Sequence, residues 1–437
     1  MNHKVGMISL GCPKNLVDGE MMLAKLRQAG FQIVTDVDEA DAIIVNTCGF
    51  IEDAKKEAID NILEMAQLKQ EGTIRAVVVT GCLAERYQEE VKKEIPEVDA
   101  VIGIGKNGDI VQVVTDALAG TETQAFPPKD CLCLNGERVL ATPPFWAYLR
   151  IADGCDNCCS YCAIPLIRGR FRSRPMEEIL EEAETLVKNG AKELILIAQD
   201  TTRYGTDWQE ASMLPELMDQ AARIPGVEWL RVLYAYPDEA DDRLLEVMAS
   251  HDNICKYLDL PIQHINDTLL RRMNRRGTAA DIRRILKKAR DMGFTLRTSL
   301  SVGFPGETEE QFQELMDFVA EARFDRMGAF AFSPEENTPA AEMPDQIPEE
   351  VKQERLDRLM KLQAQISLEN NQARIGTVEK VLVTDARDGL FLGRSQREAP
   401  DADGAIVFTA KEAPAVGSFV QVRITGAETY DLKGERL

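Results

Sequence analysis

Short apolar runs alternate with amphipathic segments along residues 1–120. The apolar runs have the length of strands and read VGMISL, AIIVNT, AVVVTG and AVIGIG. Between them, apolar positions recur at helical spacing over 16–29, 54–66, 84–95 and 110–118. Strands that alternate with helices predict a doubly wound parallel sheet. Residues 1–120 are therefore interpreted as an N-terminal α/β domain.

The pattern changes three times after residue 120. Periodicity is lost over residues 121–144, where PPKD and TPP mark a linker. Strand-like runs then alternate with helices over residues 145–347, which predicts a partial (β/α)6 barrel with its active site at the carboxyl ends of the strands. Residues 348–373 predict a charged connecting helix, and short β runs over residues 374–437 predict a small all-β barrel. The six barrel runs are 146–152, 193–199, 229–236, 257–262, 295–302 and 327–332.

Composition narrows the class of protein. The chain of 437 residues has a formal net charge of −22, which argues against nonspecific binding to nucleic acid or to anionic membranes. No window approaches the 18 or more apolar residues of a membrane span, so we expect no membrane association. Ten cysteines without a secretory signal indicate the cytoplasm, where clustered thiols bind metal more often than they form disulfides.

Three single cysteines follow strands of the N-terminal sheet. Cys12, Cys48 and Cys82 stand in SLGCPKN, NTCGF and TGCLAE. Because ligands of such folds bind beyond the carboxyl ends of the strands, these thiols are expected to converge. The alternative is three unrelated buried cysteines, which are common in protein cores.

The densest chemistry lies just past the first barrel strand, in ADGCDNCCSYCAIP. Cys155, Cys159 and Cys162 form a C-x3-C-x2-C triplet, with Cys158 as an additional thiol inside it. A zinc site is disfavoured because no second pair of ligands stands at a standard distance. Three soft thiolates suit an iron-sulfur cluster with one open iron. Spacing alone leaves open a pairing of Cys158 with Cys162. The remaining cysteines, Cys131, Cys133 and Cys255, have no visible set of partner ligands.

The triplet at the mouth of a predicted barrel, with Tyr161 before its last cysteine, resembles the radical S-adenosylmethionine (SAM) enzymes. The resemblance implies that Cys155, Cys159 and Cys162 hold a 4Fe-4S cluster whose open iron chelates SAM. It also implies that Gln199, after the second barrel strand, and Gly303, Phe304 and Pro305, after the fifth, contact SAM. Turns rich in Gly and Pro are also ordinary structural features, so the alternative is that Gly303, Phe304 and Pro305 only form a turn.

Further segments resemble the methylthiotransferase family of these enzymes, over essentially the whole chain. They include LIAQDTTRYG, TSLSVGFPGET and a C-terminal TRAM-like β domain, in that order. The resemblance implies a second 4Fe-4S cluster on Cys12, Cys48 and Cys82, associated with the sulfur that is transferred. GCPKN, CGFIEDAKKEAID and LPIQH resemble the branch of the family that modifies a ribosomal protein. That branch methylthiolates the β-carbon of an aspartate in the twelfth small-subunit ribosomal protein, with SAM as both radical source and methyl donor.

Two basic sets and one histidine have open roles. The arginines alternate after the triplet and recur beyond the fourth barrel strand, where they either meet a carboxylate, phosphate or RNA backbone or are simply solvated. His264, next to Gln263, either assists proton transfer or is a hydrogen-bonded structural residue. The arginines are Arg168, Arg170, Arg172 and Arg174, then Arg271, Arg272, Arg275 and Arg276.

Two other functions remain as alternatives. A tRNA adenosine methylthiotransferase is favoured by the TRAM-like domain, since such domains often bind RNA. Residues 374–437 contain 9 Lys and Arg against 10 Asp and Glu, however, without the basic footprint of an RNA-binding module. A non-catalytic iron-sulfur scaffold or electron carrier would need the clusters but no SAM site.

The acidic chain suits a basic ribosomal protein, either free or within the ribosomal subunit. RNA contact is then not required. The β domain is expected to dock this substrate, and a flavodoxin-type protein is expected as electron donor.

Overall fold

The computed structural model describes residues 3–437, so the first two residues of the predicted N-terminal domain lie outside it. A six-stranded parallel sheet comes first, in the order β2-β1-β3-β4-β5-β6. Every residue of the central strands β3 and β4 is buried, as expected for a sheet covered on both faces. The strands are Lys4–Ser9, Gln32–Ile33, Ala42–Thr47, Ala76–Gly81, Ala100–Ile102 and Thr123–Ala125, numbered β1 to β6. The helices are Pro13–Gln28, Glu52–Gln70, Cys82–Tyr87, Glu89–Glu94 and Ile110–Leu118, numbered α1 to α5.

The middle of the chain forms the predicted partial barrel. Two three-stranded parallel sheets, β11-β10-β7 and β12-β13-β14, are joined by a bridge between Leu230 and Ile254. A short antiparallel pair, β8 and β9, frames the loop after the first barrel strand. The strands are Trp146–Arg150, Ala152–Asp153, Arg172–Ser173, Glu193–Ile197, Trp229–Val232, Tyr257–Asp259, Thr295–Val302 and Arg326–Ala331, numbered β7 to β14. The helices are Ile164–Arg168, Met176–Lys188, Leu214–Ala222, Asp242–Ser250, Asp267–Arg272, Ala279–Asp291 and Glu309–Ala322, numbered α6 to α12.

The first two parallel strands of this barrel, β7 and β10, are buried on both faces by different partners. Ala147 and Leu149 of β7 pack into the core beneath the outer helices. Trp146 and Tyr148 point to the other face, where they meet α1 and the C-terminal β domain. Since successive side chains of a strand point to opposite faces, each strand contributes to two cores and reads as a continuous apolar run.

The chain ends in a closed five-stranded β barrel, reached through the helix Glu349–Gln372, α13. Closure pairs every strand on both sides, so the barrel leaves no free edge. Its strands are Val378–Arg387, Leu390–Arg394, Ile406–Thr409, Phe419–Ala427 and Leu432–Arg436, numbered β15 to β19. Within residues 3–437, no helix combines the length and apolarity that crossing a membrane would need.

Buried polar contacts fasten this β domain to the inner face of the partial barrel. The hydroxyls of Tyr148 and Tyr257 donate to Asp401, at 2.9 Å, and to Asp403, at 2.6 Å. Glu193 of β10 lies between Arg231 of its own barrel and Arg394 of β16. The β domain therefore completes the core of the neighbouring unit, and a chain truncated before it would leave these groups unpaired.

Two elements depart from the sequence prediction. The helix expected over 84–95 is broken at Gln88, whose φ of +43° ends α3 and starts α4. The supposed linker 121–144 contains β6, which adds an edge strand to the first sheet. Short strands such as β6 carry too little periodicity to stand out in the sequence.

Replacing Glu398 by Gln tests the buried contacts that hold the β domain. Its carboxylate accepts from Arg374 at 2.6 Å and from Arg326 at 2.9 Å. Burial alone would raise the pKa of Glu398, but these two guanidinium groups hold it well below its usual value. Removing one charge from a buried set costs about 3–5 kcal/mol because the arginines stay buried without a partner. We expect a clearly lower Tm by calorimetry.

The exposed pair of Glu428 and Lys433 supplies the matched control, and Glu428→Gln is expected to leave Tm nearly unchanged. The pKa of Glu398 is lower in the folded than in the unfolded chain. Its contribution is therefore fully present above pH ~4 and is lost as the pH falls through the folded value. Equal melting curves for the two variants would show that these contacts do not support the domain.

Candidate active site

The C-x3-C-x2-C triplet lies on the loop between β8 and α6. The amide of Cys155 donates to the carbonyl of Gly169 at 3.1 Å, which closes the loop on itself. Gly154 precedes it with φ +78°, and a Cβ at this position would lie 2.0 Å from the carbonyl oxygen of Arg170. Only glycine fits there, so the backbone requires Gly154 directly before the first cysteine of the triplet.

An aromatic and cationic group lies against Cys159. Its Sγ is 3.4 Å from the hydroxyl of Tyr236 and 4.0 Å from Arg275. The guanidinium of Arg275 stacks on the Tyr236 ring at 4.0 Å and donates to the hydroxyl of Tyr161 at 3.3 Å. It also donates to the carbonyl of Pro261 at 2.6 Å. Hydrogen bonds and positive charge of this kind tune a sulfur ligand.

The triplet fits an iron-sulfur cluster by its donor set. All ten cysteines are free thiols, and burial raises the pKa of Cys155 to about 12 and that of Cys162 further. Such thiols stay protonated until a metal ion displaces the proton. No three His, Cys, Asp or Glu side chains of residues 3–437 are grouped to hold a single ion. A cubane cluster is wider than one ion, and three soft sulfur donors on one loop are the ligands it takes.

The second set of thiols lies at the carboxyl ends of three neighbouring strands. Cys12 caps the N-terminus of α1, Cys48 follows β3, and Cys82 opens α3. A Cβ on Gly11, where φ is +87°, would lie 2.8 Å from the Cys48 sulfur, so the loops approach closely. Burial, with smaller contributions from the charges of Cys12 and Cys48, raises the pKa of Cys82 to about 12 against the opposing charge of Arg168. The structure thus brings the three cysteines near one another, as their strands predict.

Arg168 connects the two units at this point. It lies on α6, directly after the triplet, and donates to Asp18 of α1 at 2.6 Å. Arg150 of β7 pairs with the other oxygen of the same carboxylate. Arg168 also reaches the sulfur of Cys82 at 3.5 Å. For Cys12, burial raises the pKa, but Lys14, Arg168 and two backbone amides outweigh it and the pKa falls.

Gln199 and the Gly303–Pro305 segment occupy different surroundings. Gln199 lies beyond β10, where its amide donates to Asp153 at 2.9 Å and its buried carbonyl oxygen has no partner within residues 3–437. Phe304 is fully buried and packs on Phe332 in a small core. A SAM contact from this segment would therefore come from its backbone.

The histidine and the arginines are now placed. The Nδ1 of His264 accepts from the amide of Asn266 at 3.0 Å, which fits the structural alternative. The arginines after the triplet do not form one extended set, since Arg168 is helical and buried whereas Arg170 is exposed. Arg174 is buried against Glu182. In the second set only Arg275 is buried.

Comparisons with known proteins give one consistent result. Residues 4–103 match the uncharacterized protein family UPF0004, residues 149–319 the radical SAM superfamily and residues 375–437 the TRAM domain. The ribosomal protein uS12 methylthiotransferase RimO of Desulforamulus reducens is 51% identical over 439 residues, which are 99% of each chain. That of Geobacter sulfurreducens is 50% identical, over 99% of this chain and 98% of its own. The chain belongs to the RimO family.

Membership of the RimO family makes the protein a radical SAM methylthiotransferase and implies a 4Fe-4S cluster and SAM as cofactors. Solved structures support the fold. The radical SAM methyltransferase TsrM from Kitasatospora setae superposes with a TM-score of 0.57 at 15% identity, covering 95% of this chain and 84% of its own. OxsB, a cobalamin-dependent SAM radical enzyme, gives 0.52 at 12% identity, over 83% and 56% of the two chains.

Sequence reasoning missed several residues of this RimO-family site. Tyr236 and Asp18 drew no attention, because neither belongs to a cysteine motif, and Lys14 was seen only as part of GCPKN. Asp18 stands four residues after Lys14 within an apolar helix face, and a buried carboxylate there needs a cation. That signal could have linked it to the arginines.

Arg168 and Arg170 form a matched pair for testing the electrostatics of the thiols. The side chain of Arg168 is 1% exposed beside Cys82, whereas that of Arg170 is 91% exposed. In the cluster-free protein, Arg168→Met should raise the pKa of Cys12 and slow its alkylation by iodoacetamide near neutral pH severalfold, because the thiolate is the reactive form. Peptide mass mapping measures the rate. In Arg170→Met, Cys12 should be alkylated at the wild-type rate. Equal slowing in both variants would contradict this role of Arg168.

Proposed function

We propose that this protein methylthiolates the β-carbon of an aspartate in the small-subunit ribosomal protein uS12. The observation that carries the proposal is the 51% identity over 99% of the chain to an enzyme named for that substrate. The arrangement of the site agrees with it, since two sets of three thiols flank one interface between domains. A reaction that joins sulfur to carbon needs both the radical source and the sulfur source at one substrate.

In this proposal, Cys155, Cys159 and Cys162 hold the radical SAM cluster, and Cys12, Cys48 and Cys82 hold a second 4Fe-4S cluster. Tyr161 and Gln199 contact SAM by side chain, and Gly303, Phe304 and Pro305 contact it by backbone. When bound, the two clusters and SAM supply the one-electron cleavage of SAM, the hydrogen abstraction, the sulfur and the methyl group. The three N-terminal thiols support the second cluster by residue type and proximity.

The chain itself holds the two sets in position. Asp18 binds Arg150 and Arg168 together, which fixes α1 against the loop of the triplet. Arg275 and Tyr236 present donors to Cys159 from the barrel side. Tyr234 and Gln263, which follow β11 and β12, have positive φ values of 62° and 68°. Strained residues of this kind cluster at functional sites, where surrounding contacts enforce them.

The proposal extends to partners and domain limits. The electron donor is a flavodoxin-type protein. The net charge of −22 suits an acidic surface that receives a basic ribosomal protein. The C-terminal β domain, residues 374–437, docks that protein, and the limits 1–120, 121–144, 145–347 and 348–373 describe the rest. Free thiols and a ribosomal substrate both favour the cytoplasm.

Mass spectrometry of cells with and without the gene tests the substrate. Deletion should remove the mass increment of SCH3 replacing H from uS12 and leave tRNA unchanged. If tRNA instead loses its methylthio groups while uS12 stays methylthiolated, the tRNA alternative is established. Comparing free uS12 with assembled subunits from the wild type would show which form is modified.

Alanine substitutions separate the two clusters. Changing Cys155, Cys159 and Cys162 should remove about half of the bound iron and abolish reductive SAM cleavage, since no site for SAM remains. Changing Cys12, Cys48 and Cys82 should also remove about half of the iron but leave 5′-deoxyadenosine formation. Iron and sulfide analysis and product mass spectrometry provide the readouts.

Cys158→Ala and Cys255→Ala are the controls. Cys158 is exposed and Cys255 is buried away from both sets, so neither should change the iron content. Loss of iron from Cys158→Ala would show that Cys158 is a cluster ligand, so that the triplet must be redrawn. Full methylthiolation by the Cys12/Cys48/Cys82 variant would refute the second cluster.

A further inference from the structure

Two buried cations differ from all others in residues 3–437. Twelve Lys and Arg residues there are buried as whole residues, and ten of them have a carboxylate within 4.0 Å. The two without one are Lys14 and Arg275. Burying a charge is costly unless it is paired, so an unpaired buried cation points to a partner that binds from outside. Both lie at the thiol sets, on opposite sides of the interface.

The surroundings of Arg275 explain why it needs no carboxylate partner. Its guanidinium is held by Tyr161, Tyr236 and the carbonyl of Pro261, and it faces the Cys159 sulfur. A cluster bound by three thiolates carries negative charge, which this arginine would balance. The second cation, Lys14, also acts on its own thiol set, since its charge lowers the pKa of Cys12, but its ammonium has a different contact.

Lys14 belongs to the first turn of α1, two residues after Cys12, and is 7% exposed. The structure shows no hydrogen bond from its ammonium to a sulfur atom within residues 3–437. The ammonium instead lies 3.5 Å above the ring of Tyr234, the strained residue that follows β11 at the mouth of the barrel. The side chain thus extends from the N-terminal thiols towards the side of the interface where the radical triplet lies.

The charged groups around Lys14 are paired with other residues, so its ammonium is available to bind an anion. Arg168, the nearest cation, is bound to Asp18 and directed at Cys82. The carboxylate of Asp259, behind Tyr234, is engaged by Arg297 at 2.7 Å. An anion that enters between the two thiol sets would therefore meet the ammonium of Lys14 as its unpaired partner.

We propose that Lys14 binds the side-chain carboxylate of the substrate aspartate and thereby selects an acidic residue for the reaction. This inference rests on the proposed function. The reacting β-carbon is bonded to that carboxylate carbon, so the carboxylate must lie between the radical source and the sulfur source. Lys14 extends towards that region, from the turn that follows Cys12 to Tyr234 at the barrel mouth. The same charge would also suit the carboxylate of SAM, and the experiment must distinguish the two.

Binding of uS12 and of a uS12 variant with the target Asp changed to Asn is measured on the anaerobically reconstituted full chain. Wild type should prefer the Asp form by about tenfold or more, the usual effect of a charge-assisted contact. Lys14→Met should bind both forms equally, because its side chain keeps the apolar stem without the charge. Lys14→Arg should keep the preference. Lys25→Met, on the same helix, is the control and should keep it too, since Lys25 bonds the carbonyl of Gly108.

Further readouts separate the alternatives. If Lys14 only balances the charge of the N-terminal thiols, Lys14→Met will lose iron or shift a cluster potential while its Asp preference persists, which overturns the proposal. A lower affinity for SAM with an unchanged preference assigns the ammonium to SAM and also overturns it. Should Lys14→Met fail to fold, Lys14→Gln carries the same test, and loss of the preference in Lys14→Arg would contradict a role for charge.

Failure of the proposed function has its own signature. Wild-type protein would then neither bind nor modify uS12 but would modify tRNA. An adenosine has no carboxylate, so that result refutes both ideas, whereas modification of uS12 with no difference between wild type and Lys14→Met refutes only the role of Lys14.

Discussion

One buried carboxylate holds the two halves of the candidate active site together. Asp18 accepts from Arg150, on the first barrel strand, and from Arg168, on the helix after the radical triplet. All three side chains are almost completely buried, so the arrangement is stable only when all are present. The geometry of Asp18 therefore sets the separation of the two thiol sets. Burying three charges is costly in stability. We attribute this cost to the need to hold the two thiol sets in fixed positions.

The same principle operates at the other end of the barrel. A catalytic barrel usually fills its own interior, but here tyrosines and a glutamate of the inner face depend on acidic and basic residues of the β domain. The domain that is expected to meet the substrate is thus also part of the catalytic core. The β domain and the barrel are mechanically connected through packed side chains rather than through a free linker.

Much of this architecture is predictable from the sequence because period and spacing are local properties. Alternating strands and helices indicated the two parallel units, and the resemblance of the cysteine motifs identified the family. The charged residues were not predictable in the same way. Arg168 and Arg170 look equivalent in the sequence, yet one is buried in the interface and the other is in solvent. Their difference is set by a partner 150 residues away, which periodicity does not report.

The contact between Tyr148 and Asp401 joins residues 253 positions apart. During synthesis, the first barrel strand leaves the ribosome long before the segment that completes its inner face. Contacts so distant in sequence form late and slowly. The inner face of the barrel therefore stays open to solvent until the last part of the chain has been made.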